Sequence, residues 1–388
     1  MISWADGQVT EVRAGWRGAV ELQVTRTGGA EVRALAYTTL MAAPEVGDRV
    51  LLNVAALDRG LGTGGYALVI AALTPEGELR GQPPRPAGHL VKARYLPQQA
   101  MVAGADEQGS PHHEVLRDAD DLAGLPVVVA DLHSALTPAL LAVAHDRPGA
   151  RVVYLMSDQG ALPLAFSRSV AQLREAGLLA GTVTVGQAFG GDLEAVTVHS
   201  GLLAARLAMG ADLVVVSQGP GNLGTGTRWG FSGVAVGEAV NAAGTLGGRP
   251  VGSLRISTAD ARPRHRGLSH HSRTAYGRVA LLPADLAVPD LAAAGSLRGI
   301  DGLAEVVALA PAVDAAVAGL GRHRAVRVPL AGLDDALTGT DLPLSTMGRR
   351  LDADPAYFLA AAAAGRHAAA LAFPDAGAAV PAATDPLG

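Results

Sequence analysis

The chain of 388 residues contains no cysteine. That absence excludes a disulfide framework, a thiolate nucleophile and any cysteine-held metal. Lysine is almost missing as well: the 31 basic residues are thirty arginines and a single lysine, Lys92. The Ala and Gly content points to a GC-rich coding sequence that favours Arg over Lys. A lone lysine against that background is a candidate for a position a guanidinium cannot serve. Aromatic residues make up only 4% of the chain and the formal net charge is −5. Both features argue against a base-stacking or polyanion-coating nucleic-acid binder. The longest apolar runs, such as "YALVIAAL" and "YFLAAAAA", reach about eight residues, well short of the roughly 18 of a membrane span. The opening "MISWADGQVTEV" has no basic region ahead of an apolar stretch, so no secretory leader is expected. A cytoplasmic protein without a membrane partner is the expectation.

What is present is a large apolar fraction, 49%, enough for a sizeable core. Residues 1–75 read as all-β, because "AVELQVTR", "AEVRALAY", "DRVLLNVAA" and "GYALVIAA" are separated by turn chemistry such as "TGGA" and "PEVG". The spacing predicts a small barrel-like domain. Residues 76–124 form a linker and connecting segment. From Leu125 strands and helices alternate, and the strands are continuously apolar. That pattern predicts an α/β fold, a doubly wound and mostly parallel sheet over 125–302. Within it, "EAVTVHS" and "RPVGSLRIST" read as strands. Residues 303–373 extend that domain, beginning with a βα-like stretch "AEVVALAPAVDAAVAGLG", and the Ala- and Pro-rich residues 374–388 read as a disordered tail.

In such a sheet, ligands bind beyond the carboxyl ends of the strands. The predicted strand ends are polar: Asp131-Leu132-His133, Ser157-Asp158, Gln187, His199-Ser200, Ser217-Gln218 and Ser257-Thr258-Ala259-Asp260. After one of them comes "SQGPGNLGTGTRWGFSG", with G-x-G-x-x-G at Gly219, Gly221 and Gly224. The dinucleotide fingerprint requires a helix to open there and an acid after the next strand. Neither condition holds, since a helix cannot start before about Phe231. Bare backbone N–H groups with Asn222, Thr225, Thr227 and Arg228 instead suit a phosphate or carboxylate; a glycine-rich turn that lets a helix pack tightly on the sheet is the plain alternative.

A second run, Arg262 to Arg278, holds five arginines and three histidines without an acid. Arginine forks grip oxyanions, and histidine supplies acid–base chemistry near neutrality. A solvated basic face is the plain alternative. Metal ligation also stays open: Asp131, His133, Asp158, Asp192, Glu194, His199 and the pair His112-His113 are ligand types, but no H-E-x-x-H spacing occurs. No Gly-Lys-Ser/Thr and no G-x-S-x-G is present, which removes the Walker loop and the serine-hydrolase elbow.

Several phrases, "GHLVKARYLPQQ", "SPHHE", "SQGPGNLGTGT", "LSHHSRTAYGR" and "LSTMGR", resemble a family of uncharacterised bacterial proteins, mainly actinobacterial, known only as a domain of unknown function. The resemblance implies that barrel, α/β body and C-terminal piece belong together and that the setting is bacterial. It carries no activity.

The functional expectation is a protein that binds a small anionic metabolite, phosphorylated or nucleotide-like, at the strand ends. In this reading Gly219, Gly221, Asn222, Gly224, Thr225, Thr227, Arg228, Arg273 and Lys92 hold the anion. His199, His270 or His271 carries the proton, and Asp131 or Asp158 orients it or holds a divalent metal. A non-catalytic sensor or assembly module and a metal-assisted hydrolase are the alternatives.

Overall fold

Alternating apolar residues up to Leu73 make five strands: β1 (Trp4–Trp16), β2 (Ala19–Arg26), β3 (Glu31–Tyr37), β4 (Arg49–Asn53) and β5 (Ala67–Leu73). They close into a barrel in the order β1-β2-β3-β5-β4. The long β1 pairs with both β2 and β4. Register shifts at Val9/Glu11 and Val12/Gly15 break its ladder with β2, and such irregularities bend a strand. The interior is filled by Val9, Leu22, Val24, Ala34, Val50 and Leu52. The computed structural model describes residues 2–62, 64–81, 88–158 and 162–374.

A short hairpin, β6 (Leu90–Lys92) with β7 (Ala100–Val102), and one helical turn, α1 (His113–Leu116), follow the barrel. The α/β part then runs β8 (Pro126–Ala130), α2 (Leu136–Asp146), β9 (Val152–Ser157), α3 (Arg168–Glu175), β10 (Gly181–Thr184), β11 (Leu193–Glu194) and α4 (Val198–Leu203). It continues with β12 (Leu213–Gln218), α5 (Ala235–Thr245), β13 (Arg249–Ser253), β14 (Ile256–Ser257), β15 (Gly267–Leu268), α6 (His270–Thr274) and β16 (Asp285–Pro289). The last elements are α7 (Leu303–Ala318), β17 (Arg324–Val328), α8 (Leu333–Thr338), β18 (Ser345–Thr346), β19 (Arg349–Arg350) and α9 (Pro355–Ala372). Eight strands form one parallel sheet in the order β11-β10-β9-β12-β8-β13-β16-β17. Every residue of β8 and β12 is buried, as strands covered on both faces require. The barrel and the α/β class thus agree with the sequence pattern.

Three local expectations are corrected. "EAVTVHS" is not one strand: after β11 the chain enters α4, whose N-cap Thr197 accepts from Ser200 N while the Ser200 hydroxyl accepts from Thr197 N. That reciprocal cap outweighs the β-branched residues around it. "RPVGSLRIST" is broken after Ser253, and Ile256–Ser257 pairs with Gly267–Leu268 in a separate ribbon. The stretch after Gly302 contains no strand before its helix; residues 303–318 are α7 throughout.

By contact density the chain divides into two compact units. The first is Met1–Ala119, Tyr154–Ala208 and Gln218–Thr225, and the second is Asp120–Val153, Met209–Ser217 and Gly226–Gly388. In the first, Trp16 Nε1 donates to the Ala165 carbonyl at 2.6 Å. In the second, α9 is buried along nearly its whole length. A Cβ on Gly365 would come within 2.1 Å of the Ala139 carbonyl oxygen, so α9 and α2 approach as closely as only glycine allows. The expected tail at 374–388 lies outside the described residues from 375 onward.

Candidate functional site

The second unit gathers its polar residues where β8 and β13 end. Asp131 directly follows β8, and Arg255 follows β13 at the point where the chain leaves the sheet. The ribbon of β14 and β15 returns the chain through a 3-10 turn, Pro263–His265, to Ser269, which caps α6 by accepting from His271 N. Three imidazoles result: His265 from the turn, and His270 and His271 from the first turn of α6. Their ring centroids lie 4.8, 4.8 and 4.5 Å apart.

Each ring has a defined neighbour. His265 Nδ1 is 2.8 Å from Ser269 Oγ. His271 Nδ1 is 3.3 Å from Asp131 Oδ2 and 3.1 Å from Arg255 Nη1. Phe231 stacks flat on His271, with centroids 3.7 Å apart and planes at 5°, and meets His270 at 67°. Two ring nitrogens, His265 Nε2 and His270 Nε2, are buried without a hydrogen-bond partner. Burial, then the cations around them and neighbouring His271, pushes His265 down to about 3 and His270 down to about 4. Both are therefore neutral at physiological pH, with a lone pair to offer. Burial pushes the Asp131 carboxyl up, but the hydrogen bond to His271 and the Arg255 charge outweigh it and hold it below the usual carboxylate range.

Behind the imidazoles lies a balanced ionic network. Asp260 takes two bonds from Arg262, at 2.9 and 2.8 Å, and sits 3.6 Å from both Arg255 Nη2 and Arg349 Nη2. Asp354, fully buried, accepts from the Ser257 hydroxyl at 2.7 Å, Thr258 N at 3.1 Å and Arg349 Nε at 3.0 Å. With Asp131, 3.6 Å from Arg255 Nη1, three arginines face three aspartates here, and such burial demands that pairing. Arg264 and Arg273 stand outside the network. Both are exposed, and neither has an acidic partner among the described residues. Arg273 Nε donates to the Leu268 carbonyl at 3.3 Å. The Arg264 guanidinium lies 3.5 Å from where a Cβ on Gly226 would be, at a position with φ of +81°.

Of the residues predicted from sequence, Asp131, His270 and His271 come together, and Thr227, Arg228 and Arg273 belong to the same unit. Thr227 Oγ1 accepts from Gly230 N at 3.1 Å, closing a turn, and Arg228 is exposed. Gly219, Gly221, Asn222, Gly224 and Thr225 belong to the first unit, as do Asp158, His199 and Lys92. There Asp158 Oδ2 accepts from Gln187 N at 2.7 Å, and His199 is exposed on α4. Lys92 is buried, its Nζ donating to the carbonyls of Ala188 and Ala195 at 3.0 and 3.2 Å beside Glu194 at 3.3 Å. Asp192 is held by Arg174 and Arg17, and His113 Nδ1 bonds the Asp106 carbonyl at 2.8 Å. Sequence reasoning missed His265 and Arg255. His265 precedes His270 by five residues and meets it only because the β14–β15 ribbon folds back. Arg255 sat inside a stretch read as continuous strand.

Residues 33–365 match a family described as "Protein of unknown function (DUF3866)". No curated protein and no solved structure matches the chain.

Proposed function

Because the chain belongs to this family of unknown function, we propose its role from the site itself: an enzyme acting on a small anionic metabolite, phosphorylated or nucleotide-like, at the carboxyl ends of β8 and β13. His270 and His271 stand at the reacting centre, and Asp131 orients His271. Arg264 and Arg273 meet the charge of the anion, with Gly226, Thr227 and Arg228 on the neighbouring stretch.

The observation that carries this reading is Arg264. Every other arginine of the Arg262–Arg273 stretch makes a hydrogen bond to a side chain or a carbonyl, whereas Arg264 makes none among the described residues. It is close enough to His270 to disfavour a positive charge on that ring. An exposed guanidinium with open donors beside neutral imidazoles attracts an oxyanion and is matched to its geometry. The pairing of Arg255, Arg262 and Arg349 with buried acids leaves that charge uncompensated.

The test is a thermal-shift titration with inorganic phosphate against chloride at constant ionic strength. At about a hundred times the dissociation constant, phosphate should stabilise the wild type by roughly 2.7 kcal/mol. Arg264→Ala, a surface change, should keep the fold and weaken phosphate binding roughly 10- to 100-fold, the about 1.5–3 kcal/mol of a charged hydrogen bond. Equal shifts for wild type and variant would contradict the assignment.

A further inference from the structure

We propose that His265, His270 and His271 are the protein ligands of a divalent first-row transition-metal ion of the zinc type, with Asp131 and Ser269 as its outer shell. One ligand atom from each ring lies within 4.8 Å of the others, and among the described residues this is the single group of three histidines, aspartates or glutamates so arranged. The anion reading fixes where this site lies, but the metal alone can test it.

Two independent observations point to an ion. First, His265 is 99% shielded from solvent, with a relative exposure of 1%, yet its Nε2 has no partner, and the same holds for His270 Nε2. Buried polar atoms are almost always satisfied, and leaving one unpaired costs about 1–3 kcal/mol. Two such atoms on adjacent rings, 4.8 Å apart by centroid, are explained by a shared electrophile. Second, two of the three rings have an oxygen neighbour at the far nitrogen. A ligating histidine usually bonds a carboxylate or another oxygen through its far nitrogen, which fixes tautomer and ring plane. His265 Nδ1 lies 2.8 Å from Ser269 Oγ, and His271 Nδ1 lies 3.3 Å from Asp131 Oδ2 and 3.1 Å from Arg255 Nη1. Phe231, flat on His271 and edge-on to His270, locks the ring planes further.

The donor set selects the ion. Three imidazoles with no carboxylate in the inner shell suit Zn²⁺, Co²⁺, Ni²⁺ or Cu²⁺ and not Mg²⁺ or Ca²⁺, which require oxygen. Zn–N bonds of about 2.0–2.1 Å in tetrahedral geometry put ligand nitrogens about 3.3 Å apart. Three protein ligands leave a fourth position for water or an oxygen of the anion, as in catalytic sites.

The test uses the full chain after chelator treatment, titrated with Co²⁺ and, separately, Zn²⁺, with no anion beyond chloride. Wild type should bind one equivalent and show the intense visible absorption of tetrahedral Co²⁺. His270→Ala, only half-buried, and His265→Ala should each lose the absorption, with circular dichroism reporting the fold of each variant. Asp131→Asn should keep the stoichiometry and bind roughly 10- to 100-fold more weakly. His199→Ala, in the other unit, should bind like wild type. No stoichiometric Co²⁺ or Zn²⁺ binding by wild type, or unchanged binding in folded His265→Ala and His270→Ala, would overturn the proposal. Metal binding without any phosphate effect would defeat the anion reading and leave the metal site standing. Phosphate binding by a chain that takes up no metal would do the reverse.

Discussion

Single residues account for where charge is permitted inside this protein. Lys92 is the one lysine, and it is buried with its three ammonium donors facing two carbonyls and the Glu194 carboxylate. Three tetrahedral N–H bonds on a point charge suit that cage, while a planar guanidinium does not. Burial holds the Lys92 ammonium below its usual range despite Glu194. Burial also holds Glu194 above its own, although Lys92 opposes the shift. The pair is thus held by hydrogen bonds as much as by charge. Lys92→Arg, conservative by class, should destabilise the fold by about 1–3 kcal/mol through overpacking. A urea midpoint equal to wild type would show that a guanidinium fits. The rarity of lysine singled out Lys92 in the sequence as an anion-holding residue; in the structure its ammonium meets Ala188, Ala195 and Glu194. Those surroundings were not visible in the sequence, because Ala188, Glu194 and Ala195 lie about a hundred positions away along the chain.

Elements are set by a few contacts that override local preference. Gly365 stands inside α9, where glycine costs about 1 kcal/mol relative to alanine. On propensity alone Gly365→Ala would stabilise. The added Cβ would meet the Ala139 carbonyl oxygen at 2.1 Å, so the substitution should instead destabilise by about 1–3 kcal/mol. Chemical denaturation gives the sign directly. The same principle explains which elements could be read in advance. β8 and β12 are uninterrupted apolar runs whose type follows from burial on both faces. α4 and the break after Ser253 depend on side-chain bonds instead: the Thr197–Ser200 cap, and the acceptance of Arg255 N by Ser272 Oγ at 3.0 Å with its guanidinium turned toward Asp131 and Asp260. Hydrophobic periodicity carries no trace of such bonds. Reading through that break placed Asp260 at a strand end and concealed Arg255, which contacts both Asp131 and His271.

At the scale of the whole molecule, a closed five-stranded barrel precedes an eight-stranded parallel sheet, and the family match spans residues 33–365. Among the described residues no helix is long and apolar enough to cross a membrane. The rule that ligands sit beyond the carboxyl ends of parallel strands led from the sequence to Asp131, His270 and His271. It did not lead to His265, whose partnership depends on a two-stranded ribbon too short to predict. The polar residues at those strand ends fall into two classes. Asp260, Asp354, Arg255, Arg262 and Arg349 are mutually paired and hold the ribbon in place. His265, His270 and Arg264 keep donor or acceptor capacity in hand. The proposed function draws on the second class because the first is already satisfied.

X-ray absorption at the zinc edge, on the full chain loaded with one equivalent of Zn²⁺, tests that assignment most directly. The account predicts a shell of three imidazole nitrogens at about 2.0–2.1 Å and one exchangeable oxygen, with one imidazole lost in His270→Ala. A shell of oxygens alone, or a spectrum that His270→Ala leaves unchanged, would contradict it.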